Sequence, residues 1–178
     1  MRNSLILALF LFLPAMVQAA PSEADKLFAQ LKKVETAEEA RPIEKKLSGL
    51  FRISGSPSVD LLMARAQMAL GSDSKAARKI VDSVTSIAPR FAEGWRARAQ
   101  MQQAAGDDAG AMLSLQKTVT LNPRHFEALT DLGDMLEQYG DKAGALKLYR
   151  QALAVDPHLA GAARAEKALA KELEGQGI

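Results

Sequence analysis

No cysteine occurs anywhere in the 178 residues, which removes disulfides, thiolate metal sites and a lipid anchor on an N-terminal cysteine. Histidine is nearly absent as well: His125 and His158 are the two present, too few for a metal site of three or four converging ligands without much help from carboxylates. Neither charge sign dominates, with 23 lysines and arginines against 21 acids, and no polybasic tract exists to address nucleic acid or an anionic membrane. No apolar run approaches the roughly 20 residues that a membrane-spanning helix needs. The Gly-x-Ser-x-Gly elbow of hydrolases is missing, and so is a glycine loop that could cradle phosphate. What remains is 48% apolar residues and 25% charged ones, enough to bury a core in one domain, or in a domain plus a removable segment.

The removable segment is the N-terminus. Arg2 supplies a basic start, Leu5 to Leu13 is unbroken apolar sequence, Pro14 interrupts it, and Val17-Gln18-Ala19 sets modest or small side chains before Ala20. Those are the parts of a secretory signal peptide over 1–19. Its removal leaves a mature chain exported to the periplasm, with secretion beyond it as the alternative.

The rest carries a period of 34. Pro89, Pro123 and Pro157 keep that spacing, as do Ala77, Ala111 and Ala145, then Val81, Leu115 and Tyr149, then Leu61, Trp95 and Leu129. The frames are 58–91, 92–125 and 126–159. Each reads as two helices around a turn, at Gly71-Ser72-Asp73, Gly106-Asp107 and Gly140-Asp141, with proline after the second helix. Ala64, Ala99 and Gly133 are expected to let the two helices of a hairpin approach closely. Ser22-x-x-Asp25 and Thr36-x-x-Glu39 read as capping boxes opening two further helices in 22–57, with Pro42 expected to kink the second or mark its true start. Residues 160–178 read as a polar-backed closing helix with Ala163, Ala170 and Leu173 apolar.

The columns Leu129-x2-Leu132-Gly133-x2-Leu136, Ala145-x3-Tyr149 and Pro157, with weaker copies around Trp95, Ala111 and Pro123 and around Ala77 and Pro89, resemble the tetratricopeptide repeat family. The resemblance implies an all-α, right-handed superhelix of three repeats. Before them it places a degenerate helical hairpin at 22–57, and after them a capping helix. Ser54-Gly55-Ser56-Pro57-Ser58, Phe91-Ala92-Glu93-Gly94-Trp95 and Pro123-Arg124-His125-Phe126 look similar to short, signal-bearing repeat proteins of α-proteobacteria. The family lines its concave face with the first helix of each hairpin. Projected by the 34-residue register, that face is Val59, Leu62, Met63 and Ala66, then Glu93, Arg96, Gln100 and Gln103, then Glu127, Thr130, Asp131, Asp134 and Glu137. The sequence along it runs from apolar through mixed to acidic, which suits a partner with an apolar segment followed by a basic one. The family's arrangement for gripping a C-terminal carboxylate uses lysine, asparagine and arginine, and Leu62, Ala66 and Ala97 near such positions do not reproduce it.

Two internal pairings compete with a ligand on that face. Val59, Leu62, Met63 and Ala66 could pack on the N-terminal hairpin, and Asp131, Asp134 and Glu137 could pair with Arg164, Lys167 and Lys171 of the closing helix, each pair contributing about 0–1 kcal/mol. The chain is read as an exported adaptor for a protein or peptide in envelope assembly or maintenance, with no enzyme activity, cofactor, metal or nucleic-acid partner. The alternatives are a homo-oligomer stacking through an end at Val59, Leu62 and Met63 and, more distantly, an enzyme completed by a partner around His125 and His158, which otherwise read as turn residues.

Overall fold

A computed structural model describes residues 21–175; the signal-peptide expectation lies outside them. The described residues form nine α-helices and no strand: α1 (Glu23–Leu31), α2 (Ala37–Phe51), α3 (Pro57–Ala69), α4 (Ser74–Ile87), α5 (Ala92–Ala104), α6 (Asp108–Leu121), α7 (Phe126–Gln138), α8 (Lys142–Val155) and α9 (Ala160–Gly175). Three hairpins, α3–α4, α5–α6 and α7–α8, stack in chain order, and α9 closes the array against α8. Three of the four columns sit at equivalent places. Ala77, Ala111 and Ala145 are fully buried, Val81, Leu115 and Tyr149 nearly so, and each proline follows the residue that ends the second helix.

The fourth column fails, and the hairpin turns explain why. In the second and third hairpins, Gly106 and Gly140 take φ of 77° and 84°, a left-handed conformation that glycine adopts without strain. The N–H of Asp107 and of Asp141 then donates to a carbonyl five residues back, on Gln102 and Leu136. In the first hairpin Asp73 donates four residues back, to Ala69, and Gly71 has no positive φ. That turn is one residue shorter, so α3 is displaced by one position against the 34-residue frame. Ala66, Ala99 and Gly133 are the equivalent small residues, 33 and 34 apart, and all three are buried. Leu62 takes the place projected for Leu61, which is 62% exposed, and Ala64, expected at the close contact, is exposed.

The N-terminal hairpin is capped as its sequence suggests: Ser22 with Asp25 and Thr36 with Glu39 each form a reciprocal box. The second helix begins five residues before Pro42, so the proline does not mark its start. The hairpin does not stack on α3. Leu27, Phe28, Leu31, Ala40 and Leu47 form one cluster with Phe126, and Val155 and Leu159 pack on it, so α1 and α2 lie over the bends at which α6 passes to α7 and α8 to α9. Phe51 stacks on His125 with ring centroids 4.5 Å apart and meets Phe126 at 5.9 Å. Asp25 pairs with Arg124 at 2.7 Å. Ser22 and that arginine hold its carboxyl down to about 2.

A carboxyl pair sits in this docking surface. One oxygen of the buried Asp156 accepts the His158 N–H at 3.0 Å and the other has no donor. Glu44 of α2 is its neighbour. Burial, and then the Asp156 charge, push the Glu44 carboxyl above its ordinary range; burial does the same to Asp156. An acid whose pKa is raised by folding favours the folded state at low pH and costs stability as pH rises through the raised value. Replacing Glu44 by Gln removes the charge and brings an amide N–H to the undonated oxygen of Asp156. E44Q is therefore expected to raise Tm by a few degrees at pH 7, with the gain disappearing below about pH 4, where the native glutamate is itself protonated. Thermal melts followed by circular dichroism across that range check it.

In α9 the buried positions are Ala162 and Leu169, flanked by Ala165, Ala170 and Leu173; Ala163, projected on that stripe, is exposed.

Candidate partner-binding groove

The one-residue displacement of α3 decides which side chains reach the concave face. Val59 is 5% exposed and packs on Val84 and Phe91, and Ala66 is 2% exposed against Ala77 and Val81. Both belong to the core, as does most of Leu62. The expectation that these residues line the groove is corrected, and so is the idea that they pack on the N-terminal hairpin. A cleft of about 650 Å³ between α3 and α5 is lined instead by Asp60, Met63, Ala64 and Gln67, facing Glu93, Arg96, Ala97 and Gln100. Arg52, just past α2, and Glu127 of α7 close its foot. Of the α3 residues projected for the groove, Met63 alone is there. Asp60, Ala64, Gln67 and Arg52 escaped the projection; the signal that finds the three on α3 is the 33-then-34 spacing of Ala66, Ala99 and Gly133, repeated by Met68, Met101 and Met135, and Arg52, at the end of α2, lies outside that register.

Beyond Gln67 and Gln100 the cleft continues to Leu70, Met101 and Ala104, with Lys75 and Arg78 at its far rim. Gln103 is exposed beside this end.

At the foot the charges are tightly shared. Arg96 lies 3.1 Å from Glu127, 3.2 Å from Asp131 and 3.6 Å from Glu93. Glu93 also meets Nε2 of His125 at 2.9 Å, and Nδ1 of that ring accepts the Ala128 N–H at 3.4 Å. An accepting Nδ1 makes Nε2 the protonated nitrogen, so the imidazole donates to Glu93. His125 is thus a fully buried helix cap that links α5, α7 and, through Phe51, α2, which is more than the turn role read from sequence. His158 is half-buried and its backbone N–H, not its ring, makes the recorded bond. Glu127 accepts the Ser48 hydroxyl at 2.7 Å, tying the same corner to α2.

The acids of α7 divide by height. Burial pushes the Asp131 carboxyl above its ordinary range and Glu127 and Asp134 add to this, while Arg96 pulls it down. Asp134 and Glu137 accept from the Tyr149 hydroxyl at 2.7 and 2.8 Å. Burial and those two carboxylates keep the phenol protonated well beyond its ordinary pKa. Thr130 donates to the Phe126 carbonyl and offers little to a ligand. Among the described residues, Arg164, Lys167 and Lys171 form no ion pair with Asp131, Asp134 or Glu137; α8 and α9 are joined by Lys142 with Glu172 and by Arg150 with Glu166. Counting Asp60, Glu93, Glu127 and Asp131 against Arg52 and Arg96, the lower groove holds an excess of carboxylate.

No protein-family model matches the chain. No curated protein matches it significantly. Solved structures do. The first tetratricopeptide domain of Spaghetti (RPAP3), bound to the HSP90 peptide SRMEEVD, superposes with a TM-score of 0.59 at 16% identity, covering 65% of this chain and 93% of that one. The Yersinia enterocolitica type III secretion chaperone SycD, in complex with a peptide of the translocator YopD, gives 0.59 at 14% identity, covering 66% and 95%. MamA gives 0.59 at 17% identity over 89% of this chain and 86% of its own. At these identities the likeness speaks for architecture. With its three stacked hairpins, prolines at equivalent bends and a groove between successive first helices, the chain has the all-α solenoid fold of tetratricopeptide repeat domains.

Proposed function

We propose that this chain is an exported member of the tetratricopeptide repeat family. In this reading it is an adaptor that holds an extended cationic segment of another protein in the periplasm, during assembly or maintenance of the cell envelope. The observation that carries the reading is the foot of the groove, where the carboxylates of Asp60, Glu93, Glu127 and Asp131 outnumber the guanidiniums of Arg52 and Arg96, and Arg96 is already shared among three of the acids. Two solved relatives in fold are bound to peptides, which supports a peptide as the kind of ligand. The peptide seen in one of them ends Glu-Glu-Val-Asp. That sign would be repelled here, where Asp60, Glu93 and Glu127 line the cleft. A cleft of this size gives modest affinity, on the order of micromolar.

Ala97 is half-buried at the floor of the cleft and Gln100 is exposed on its wall. A photocrosslinker at Gln100, activated in living cells, is expected to yield an adduct in the exported fraction whose crosslinked segment is rich in lysine or arginine. Ala97→Trp should fill the floor and remove that adduct, while a crosslinker at Leu113, exposed on α6, should not produce it. An adduct that survives A97W, or an acidic crosslinked segment, would overturn the groove reading. Recovery of only the unprocessed chain from the cytosol would remove export.

A further inference from the structure

The stack of hairpins has one end that nothing in the described chain covers. The face of α5 turned toward α4 presents Gly94, Arg98 and Met101, and the face of α7 turned toward α6 presents Ala128, Leu132 and Met135. All but Arg98 are buried. The register established by the turns puts Leu61, Arg65 and Met68 at the same three places on α3. Among the described residues no helix precedes α3 in the array, because α1 and α2 are committed to the bends around Phe126, Val155 and Leu159. Leu61 is therefore 62% exposed and Met68 81% exposed, and Arg65 between them has no side-chain partner among the described residues.

The internal copy of this interface specifies what fits. Helix α4 covers α5 by placing Val81 against Met101 and Val84 against Gly94, with Val84 Cγ1 3.0 Å from where a Cβ on Gly94 would stand. Asp82, beside Val81, pairs with Arg98 at 3.1 Å. Arg65 is the counterpart of Arg98 and Met68 of Met101, so an element seated on α3 needs an apolar residue for Met68 followed directly by an acid for Arg65. Leu61 replaces Gly94, so the element needs a small residue where α4 has Val84.

A second copy of the chain does not offer this. The far end of the array is α9, whose exposed side chains include Arg164, Lys167 and Lys171. Head-to-tail stacking would set those cations on Arg65, and a two-fold pairing of α3 with α3 would oppose Arg65 to itself.

We propose that Leu61, Arg65 and Met68 form a docking face for an α-helix of a different protein, which continues the solenoid by taking the place of the missing preceding helix. This surface lies outside the groove and does not depend on the groove reading. The helix it takes is amphipathic, carries an acid next to its central apolar residue, and has alanine or glycine one turn further on.

The probe is a peptide with the sequence of α4, Ser74–Ile87, bearing Val84→Ala and an i,i+4 hydrocarbon staple across Lys79 and Ser83, both exposed in α4. Titrated calorimetrically into the full chain, it should bind saturably on the order of 10 µM. Met68→Glu in the chain should weaken it at least about tenfold without changing the melting temperature, since that side chain is uncovered. Arg65→Glu should weaken it similarly, and a peptide that also carries Asp82→Lys should regain binding to R65E while losing it to the wild type. Ala97→Trp, which fills the groove, should leave the peptide unaffected. Absence of saturable binding, or binding indifferent to M68E, would overturn the proposal. So would light scattering that shows the chain alone dimerising and M68E restoring the monomer, because the occupant would then be a second copy.

Discussion

Exchanging Tyr149 for Leu together with Gly133 for Ala should destabilise the protein by clearly less than the two single changes added together. A Cβ on Gly133 would stand 2.8 Å from Tyr149 Cε1, inside contact distance. G133A must therefore displace a ring that is 1% exposed and whose hydroxyl is held by Asp134 and Glu137. Such overpacking costs about 1–3 kcal/mol, of which roughly 1 kcal/mol returns as better helix propensity. Y149L alone leaves a void beside Gly133 and strips two carboxylates of their donor, a loss of about 2–4 kcal/mol. The double variant reproduces a pair the molecule already contains, since Ala99 faces Leu115 at the same place in the preceding hairpin, and Ala66 faces Val81 in the one before. A favourable coupling of at least about 1 kcal/mol is expected from the cycle, measured by urea unfolding. Simple additivity of the two losses would mean that size matching across the hairpin is not what sets these residues.

The same trio shows how far the chain could be read without coordinates. Proline, alanine and second-helix columns were legible because the second helices are anchored by aspartate caps at 73, 107 and 141, an unbroken spacing of 34. First helices are anchored only through the turn that follows them, and one of the three turns is a residue short. A slip of one position rotates a helix by about 100°, enough to exchange core and groove, which is why Val59 and Ala66 were projected outward and Asp60 and Gln67 were not projected at all. The placement of α1 and α2 was illegible for another reason. Their apolar stripes say that they bury one face, but a periodic stripe does not name its partner, and the partner here is Phe126, some 79 to 99 residues away along the chain by the bonds that join them. From sequence His125 reads as a turn residue, because a lone histidine in a bend carries no pattern; its role as a buried cap is visible only once Glu93 and Phe51 are seen against it.

Arg96→Ala should destabilise the protein most at neutral pH and least in acid. The guanidinium is 15% exposed and is the cation shared by Glu93, Glu127 and Asp131. Without it, three carboxylates remain at one corner, held by the donors His125 and Ser48. Breaking this half-buried charge network costs about 1–3 kcal/mol, less than a fully buried pair because Glu127 and Asp131 keep part of their hydration, or a fall in Tm of roughly 2–12 °C for a chain of this length. The pH dependence follows from Asp131. Its pKa is already raised, first by burial and then by Glu127 and Asp134, with Arg96 the one opposing influence. Removing Arg96 raises it further. A carboxyl raised in the folded state stabilises folding when protonated, and that stability is lost as pH climbs through the raised value. The difference between R96A and wild type should therefore narrow steadily as pH is lowered toward the ordinary carboxylate range, and Asp131→Asn should recover much of the loss in the R96A background at pH 7 while changing little at low pH. Since Arg96 also lines the cleft, its removal leaves the groove more acidic, and a cationic peptide should bind the surviving folded fraction more tightly than it binds wild type. Weaker binding to R96A, measured at a pH where both proteins are fully folded, would show that the arginine contacts the ligand directly and that the carboxylates around it do not set the charge of the partner.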